Sequence, residues 1–224
     1  MPDVVASVPM KPRRLLRREE RPPRNDDRGE FDVAIIGAGA VGCAIARELS
    51  RYQLNVALIE ANPDVGMGTS KASTAIWHTG FDATPGSLEA TLLRRSYKLM
   101  DNFMPEAGIP HERLGAILIA WNQEQLDALP SLLKKAHQNG VNDVGIISAE
   151  EIYKHEPNIN TGALGGLYVP GEGILCTFTI PLACAYQAVT NGVELFLNDP
   201  VRSIKRKGDI WILDDEIRAR YVVN

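Results

Sequence analysis

No apolar run in this sequence approaches the roughly 18 residues needed to span a bilayer. The apolar stretches are strand-length pieces such as Val33-Ala34-Ile35-Ile36. A transmembrane helix is therefore not expected, while peripheral membrane contact stays open. Excess positive charge is also missing: 24 Lys and Arg stand against 28 Asp and Glu, a formal net charge of −4. That leaves no electrostatic footprint for nucleic acid. Cysteine is scarce. Cys43, Cys176 and Cys184 show no CxxC spacing and leave one over if two pair, so a reduced, intracellular compartment is the simpler reading. The cytoplasm is the expected location, with the mitochondrion as the alternative. No histidine or cysteine spacing suggests a metal site.

What is present is ordinary for a folded protein: 45% hydrophobic and 23% charged residues over 224 positions, enough for one large domain or two small ones. The first 30 residues differ. They hold eight Lys/Arg, six Asp/Glu and five Pro, and such a segment buries too little to offset its ordering entropy. Residues 1–30 are expected to form a disordered tail. The basic stretch 11–18 resembles targeting signals in charge, but Glu19, Glu20, Asp26 and Asp27 follow at once, and transit peptides are poor in acids.

The order changes at Phe31. Phe31-Asp32-Val33-Ala34-Ile35-Ile36 reads as a buried parallel strand. Gly37-Ala38-Gly39-Ala40-Val41-Gly42 follows, then residues 43–49 with helical spacing, then the strand Val56-Ala57-Leu58-Ile59 ending at Glu60. Gly37 permits a tight turn, Gly39 lets backbone approach a pyrophosphate, and Gly42 lets helix pack closely on strand. The helix's first turn, at Ala40 and Val41, offers N–H groups and partial positive charge to phosphates. Glu60 stands where an acid accepts hydrogen bonds from a ribose diol, and it would repel a 2′-phosphate. Glycines alone are weak evidence; strand, glycines, helix, strand and acid in this order are strong.

A nicotinamide-binding fold would continue with a further helix and a third parallel strand. Here a loop of small and hydroxyl-bearing residues follows, Gly66-Met67-Gly68-Thr69-Ser70-Lys71-Ala72-Ser73-Thr74-Ala75. By composition alone it is a surface loop, yet its donors suit the diphosphate and ribityl chain of FAD. Lys71 could meet a phosphate as a point charge, although an exposed lysine is commonplace.

Several runs together carry a family likeness. They are the stretch from Asp32 to Glu60, Gly68-Thr69-Ser70-Lys71-Ala72-Ser73, Ile76-Trp77-His78-Thr79-Gly80, Pro85-Gly86-Ser87-Leu88, Gly115-Ala116-Ile117-Leu118-Ile119-Ala120, Glu156-Pro157-Asn158, Gly165-Gly166-Leu167-Tyr168 and Gly173-Ile174. The sequence resembles the D-amino-acid-oxidase-like superfamily of flavoproteins, nearest the branch of FAD-dependent glycerol-3-phosphate dehydrogenases and L-2-hydroxyglutarate oxidases. The likeness runs from residue 31 to residue 224. It implies an α/β fold: a Rossmann-like, βαβ FAD-binding domain from residues 31–84 and 171–224, with an inserted α+β substrate-side domain at 85–170. It also implies that Thr69, Ser70 and Ser73 contact FAD, that Thr79 and Gly80 pass near the isoalloxazine, and that Val201 holds the adenine through its backbone. Relatives continue past the last strand into a segment that completes both domains. The resemblance thus implies a chain incomplete at its C-terminus, with the groups that clamp a small anionic substrate expected beyond it.

Elsewhere, local signals give elements. Ser87 is a plausible N-cap for a helix to about Met104, with Leu93, Tyr97, Met100 and Met104 on one stripe. Residues 115–120 read as a strand, 124–138 as an amphipathic helix closed by Gly140, and Ser148 with Glu151 as a capping box. Residues 180–189 read as a helix, followed by strands at 193–196, 201–205, 210–213 and 217–223. No internal repeat is visible.

The implied reaction is oxidation of a secondary alcohol, such as that of glycerol 3-phosphate or a 2-hydroxy acid. Hydride passes to flavin and electrons pass onward to an acceptor that the sequence does not name. A base is useful for the alcohol proton, and His78, the only histidine in the glycine-rich loop region, is the candidate. It could equally be a hydrogen-bond partner of the flavin or a packed residue. In related amine dehydrogenases a Trp-His pair carries covalent flavin, which Trp77-His78 matches only as a dipeptide. His111, His137 and His155 read as structural or solvated. The alternatives are an amine-oxidising relative, and a non-catalytic FAD-binding fragment that needs a partner.

Overall fold

The computed structural model describes residues 29–224; the stretch 1–28, most of the segment expected to be a tail, lies outside the described residues. β1 (Glu30–Ile36) starts one residue before the reading from sequence, at Glu30. It is followed by α1 (Ala40–Leu49) and β2 (Val56–Ile59). All four β2 residues are buried, which is why the strand is a continuous apolar run rather than an alternating one. α1 buries only the small Cys43 and Ala46, so the helix can lie close to its neighbours. A single-turn 3-10 helix, Thr69–Ala72, forms within the loop of small residues.

The next stretch builds two small antiparallel sheets and three helices: β3 (Ile76–Trp77), α2 (Leu88–Glu106), β4 (His111–Glu112), β5 (Ala116–Ala120), α3 (Gln123–Gln138), β6 (Gly145–Ser148), α4 (Ala149–His155), β7 (Gly165–Val169) and β8 (Gly173–Leu175). The sheets run β3-β8-β4 and β5-β7-β6. Ser87 caps α2 by accepting from the Ala90 N–H, and α4 opens on the capping box formed by Ser148 and Glu151. α2 runs on to Glu106, carrying Pro105 inside its last turn, instead of ending near Met104. α3 lays Leu129 and Ala136 against Ala120, Leu167, Val169 and Phe81 to form the local core. Fully burying side chains such as Leu129 and Leu167 stabilises by about 1.5–3 kcal/mol each.

The chain then adds α5 (Thr179–Thr190), β9 (Glu194–Phe196), β10 (Ile204–Lys207), β11 (Ile210–Leu213) and β12 (Ile217–Val223). α5 buries Pro181, Cys184, Ala185 and Ala188, a stripe at i, i+3, i+4 and i+7. It packs on α1, where Arg47 Nε donates to Gln187 Oε1 at 2.5 Å. One six-stranded sheet results, in the order β10-β11-β12-β1-β2-β9. β12, β1, β2 and β9 are parallel, while β10, β11 and β12 form an antiparallel meander.

Residues 29–73 with Thr177–Asn224 make one compact unit, and Thr74–Cys176 make the other. These boundaries differ from the expected 84/85 and 170/171. The reason is pairing: β3 and β8 are hydrogen-bonded to one another, so residues 74–84 and 171–176 go with the second unit. The strand expected at 201–205 also moves. β10 begins only at Ile204, because opposite Ser203 stands the turn at Asp214 and Asp215, both with positive φ. There the Asp214 carboxylate, not a strand carbonyl, accepts from the N–H groups of Arg202 (2.9 Å) and Ser203 (2.7 Å).

Candidate functional site

In the first unit the candidate cofactor residues gather at the C-terminal ends of β1 and β2, the edge where ligands of parallel α/β sheets sit. Gly37 leaves β1 with φ +95° and donates its N–H to the Ile59 carbonyl at 2.7 Å. A Cβ on Gly42 would stand 1.9 Å from the Gly37 carbonyl oxygen, so the turn and helix fit only because residue 42 has no side chain. Gly39 is the N-cap of α1 and supplies no side-chain cap. That role falls to Ser70, whose Oγ accepts from the Ala40 N–H at 2.9 Å. The Val41 side chain is 74% exposed, which leaves the start of the helix open on that side.

Glu60 is 7% exposed. Its Oε2 accepts from the Ala38 N–H at 2.7 Å, and its Oε1 accepts from the Asn62 backbone (2.9 Å) and side chain (2.7 Å). The acid therefore stands directly at the glycine-rich turn. The loop beyond is tied to the same turn, since the Gly66 N–H donates to the Ala38 carbonyl at 2.8 Å. Thr69, Ser70 and Ser73 lie in or next to the 3-10 helix of this unit. Val201 packs with its flank on the sheet's core of Phe31, Ala34, Ala57 and Ile59. Cys43, next to the turn, has its thiol pushed up to about 12, by burial first and then by Cys184 and Glu60. It is an inert core thiol.

The second unit brings His78 into a cluster that the sequence did not announce. His78 Nδ1 lies 3.0 Å from Glu172 Oε1. The same oxygen accepts from the Thr79 N–H at 2.7 Å and the Thr79 hydroxyl at 2.6 Å. On its other side, His78 Nε2 is 3.4 Å from Asp82 Oδ1. Hydrogen bonding to Glu172 raises the His78 pKa; burial opposes this, and Glu172, Asp82 and Glu89 add to the rise through their charge. Burial pushes Glu172 up, but the hydrogen bonds from His78 and Thr79 outweigh it and leave the carboxyl below its usual range. Gly80 follows with φ +80°. Its carbonyl and that of Ala83 accept from Asn139 Nδ2 at 3.0 and 2.7 Å, so the buried end of α3 anchors the turn that carries His78.

Trp77 is core: it is buried, stacked on Tyr97 at 4.8 Å, and covered by the Arg113 guanidinium. His111 sits edge-on to Trp77, and His155 stacks on Tyr168. A shallow hollow of about 480 Å³ on α3 and β6, lined by Pro130, Leu133, Lys134, His137, Gln138 and Ile146, shares no residue with either cluster.

Sequence reasoning missed Glu172 and Asn139. Glu172 had one signal, an acid between two glycines in Gly171-Glu172-Gly173. Asn139 had only its place before Gly140, which marks a helix end and not a buried clamp.

Parallel strands joined through a glycine turn, a helix whose N-cap residue is itself a glycine, and an acid at the end of the second strand define a dinucleotide-binding α/β unit. The family model for FAD dependent oxidoreductases matches residues 32–224, and this chain belongs to that family. Its cofactor is FAD. Over 197 residues the chain is 42% identical to a glycerol 3-phosphate dehydrogenase of Caloramator mitchellensis, covering 87% of this chain and 41% of that protein. It is 33% identical to the mitochondrial L-2-hydroxyglutarate dehydrogenase of Caenorhabditis elegans, covering 84% and 43%. Among solved structures it is similar to the dithionite-reduced L-alpha-glycerophosphate oxidase of Mycoplasma pneumoniae with FAD bound. The TM-score there is 0.81 at 28% identity, covering 87% of this chain and 53% of that one. The chain spans about half the length of the curated relatives it matches.

The residues present fit FAD. The cradle depends on missing Cβ atoms at Gly37, Gly39 and Gly42, and Gly37 has open space where a Cβ would stand. No helix among the described residues is long and apolar enough to cross a membrane.

Proposed function

We propose that this chain supplies the cofactor cradle and the proton acceptor of an FAD-dependent dehydrogenase or oxidase acting on the secondary alcohol of a small anion. Glycerol 3-phosphate is the first candidate substrate and a 2-hydroxy acid the second. The observation that carries this reading is the paired His78 and Glu172 within a chain 42% identical to a glycerol 3-phosphate dehydrogenase. A secondary alcohol needs a base for its O–H proton, and an imidazole whose Nδ1 is committed to a carboxylate can take that proton at Nε2.

In this reading Gly37, Gly39, Ala40, Val41 and Gly42 receive the diphosphate, Glu60 the adenosine ribose, Val201 the adenine, and Thr69, Ser70 and Ser73 the remaining polar groups. The family likeness assigns Gly80 to the isoalloxazine. Bound FAD supplies the two-electron acceptor. The alcohol proton goes to His78 Nε2 as the carbonyl forms, and the imidazolium is stabilised by Glu172. The second unit is the substrate side.

The test is anaerobic mixing of the FAD-loaded chain with glycerol 3-phosphate and, separately, with L-2-hydroxyglutarate. Bleaching of the visible flavin band by either supports the reading, and the faster one names the substrate. Bleaching only by N-methyl amines, or with flavin retained in an acid-precipitated pellet, would replace it with amine oxidation on a covalent flavin. A chain that takes up no FAD would overturn it.

A further inference from the structure

We propose that Glu172 is the positioning residue of His78, holding the imidazole with its proton on Nδ1 and its lone pair on Nε2. The proposal deepens the function above and rests on His78 being the proton acceptor.

The geometry begins with how Glu172 gets there. It sits in the turn before β8, between two glycines that could not be other residues without a shift. A Cβ at Gly171 would lie 3.0 Å from Thr79 Cγ2 and 3.2 Å from the Tyr97 hydroxyl, and one at Gly173 would lie 2.6 Å from the Glu112 carbonyl oxygen. The missing side chains let the turn press against residues 77–79. Two further hydrogen bonds lock its backbone: the Tyr97 hydroxyl donates to the Gly171 carbonyl at 2.7 Å, and the Gly115 N–H donates to the Glu172 carbonyl at 2.9 Å.

Within that frame the carboxylate is 3% exposed and receives three donors on one oxygen. Two of them, the Thr79 N–H and hydroxyl, are donors whatever the histidine does. An oxygen so loaded belongs to an ionised carboxylate, which can only accept. The 3.0 Å contact with His78 Nδ1 is then attractive only when Nδ1 carries the proton. The Gly80 N–H, 3.2 Å from the same nitrogen, would need Nδ1 as acceptor and cannot be satisfied at the same time. The bond to Glu172 wins because a hydrogen bond to a charged group is roughly twice as strong as a neutral one. Asp82 Oδ1 faces Nε2 at 3.4 Å, but that contact is longer and half-exposed, so water screens it, whereas Glu172 is buried at 3.0 Å from Nδ1. The neutral imidazole therefore keeps its lone pair on Nε2, and the orientation is set before any substrate arrives. The charged groups acting on His78 are Glu172, Asp82 from its own turn and Glu89 from the start of α2. All three are acidic, but Glu172 alone touches Nδ1.

The experiment is nitrogen-15 NMR of the histidine rings across a pH series, on the full chain without substrate. With four histidines in the sequence, comparison with His78→Gln identifies the signal. In the parent chain, neutral His78 is expected as the Nδ1–H tautomer, with a titration midpoint above the ordinary imidazole value of 6.5. In Glu172→Gln the midpoint falls toward the ordinary imidazole range and the tautomers mix, while Glu172→Asp restores part of both. A parent chain whose neutral His78 carries its proton on Nε2 overturns the proposal even if no variant folds. So does a folded Glu172→Gln variant with unchanged midpoint and tautomer, since a purely structural glutamate would change melting and leave the ring alone. These readouts need neither flavin nor substrate. Failure of the proposed oxidation with an intact Nδ1–H tautomer sinks the function and not the pairing, and the reverse result does the opposite.

Discussion

The Glu60 carboxylate accepts a hydrogen bond from the backbone N–H of Ala38 at 2.7 Å, which joins the acid at the end of β2 to the middle of the glycine-rich turn 22 residues earlier in the chain. One side chain thus shapes the turn, and in the proposed function it also receives the ribose. Glu60→Ala leaves the buried N–H of Ala38 without its acceptor, a cost of about 1–3 kcal/mol, and frees the more exposed Asn62 to water. Thermal melting is expected to drop accordingly, and flavin fluorescence titration should show FAD held at least several-fold more weakly. Unchanged melting and unchanged affinity would remove Glu60 from both roles.

Gly42→Ala separates local propensity from packing. In an exposed helix interior, Gly to Ala stabilises by about 0.8–1 kcal/mol. Here the added Cβ meets the Gly37 carbonyl at 1.9 Å, and overpacking of a tight site costs about 1–3 kcal/mol or more. The second effect wins: circular dichroism melts should show a lower midpoint, with FAD uptake lost. A variant that melts higher than the parent would mean that the turn relaxes freely.

Asp214 holds the segment that carries Val201. Its carboxylate accepts from the N–H groups of Arg202 and Ser203 and from the Ser203 hydroxyl at 3.0 Å. Asp214→Ala removes all of these and strains a residue with φ +48°, so it is expected to weaken FAD binding as well as stability. Asp214→Asn keeps a side-chain oxygen and a residue type that tolerates positive φ, and should retain most of both. Equal affinity in the two variants, at parent level, would detach the 201–203 segment from the cofactor.

The His78–Glu172 pair gives the second unit a two-sided pH response. The His78 pKa is raised on folding above its ordinary 6.5, by hydrogen bonding to Glu172 first. Its contribution is complete below that value and is lost as pH rises through the folded pKa. Glu172 stands below its ordinary 4.5, with burial outweighed by its hydrogen bonds. Its contribution is present above that value and is lost as pH falls through the folded pKa. Melting temperatures should therefore peak between the lowered Glu172 pKa and the raised His78 pKa, and Glu172→Gln should flatten both limbs. A Glu172→Gln profile parallel to the parent's would show that the pair does not couple to folding.

The βαβ unit with its glycine turn and terminal acid was legible in the sequence because its constraints are local. A tight turn, a close helix approach and an acid at a strand end are each set by residues within one βαβ unit, and glycine leaves an unmistakable mark where a Cβ cannot fit. The caps at Ser87 and Ser148 were legible for the same reason, since each acts within three residues. Tertiary structure alone decided the rest. Strands β3, β4 and β8 are two or three residues long, too short for a period to be read, and they exist only because distant segments pair. Val201 fell outside a strand because Asp214 folded back on it. Glu172 reaches His78 across 94 residues, and no window along the chain contains both. A buried carboxylate beside an imidazole is a property of where the backbone returns, and only the packed fold determines that.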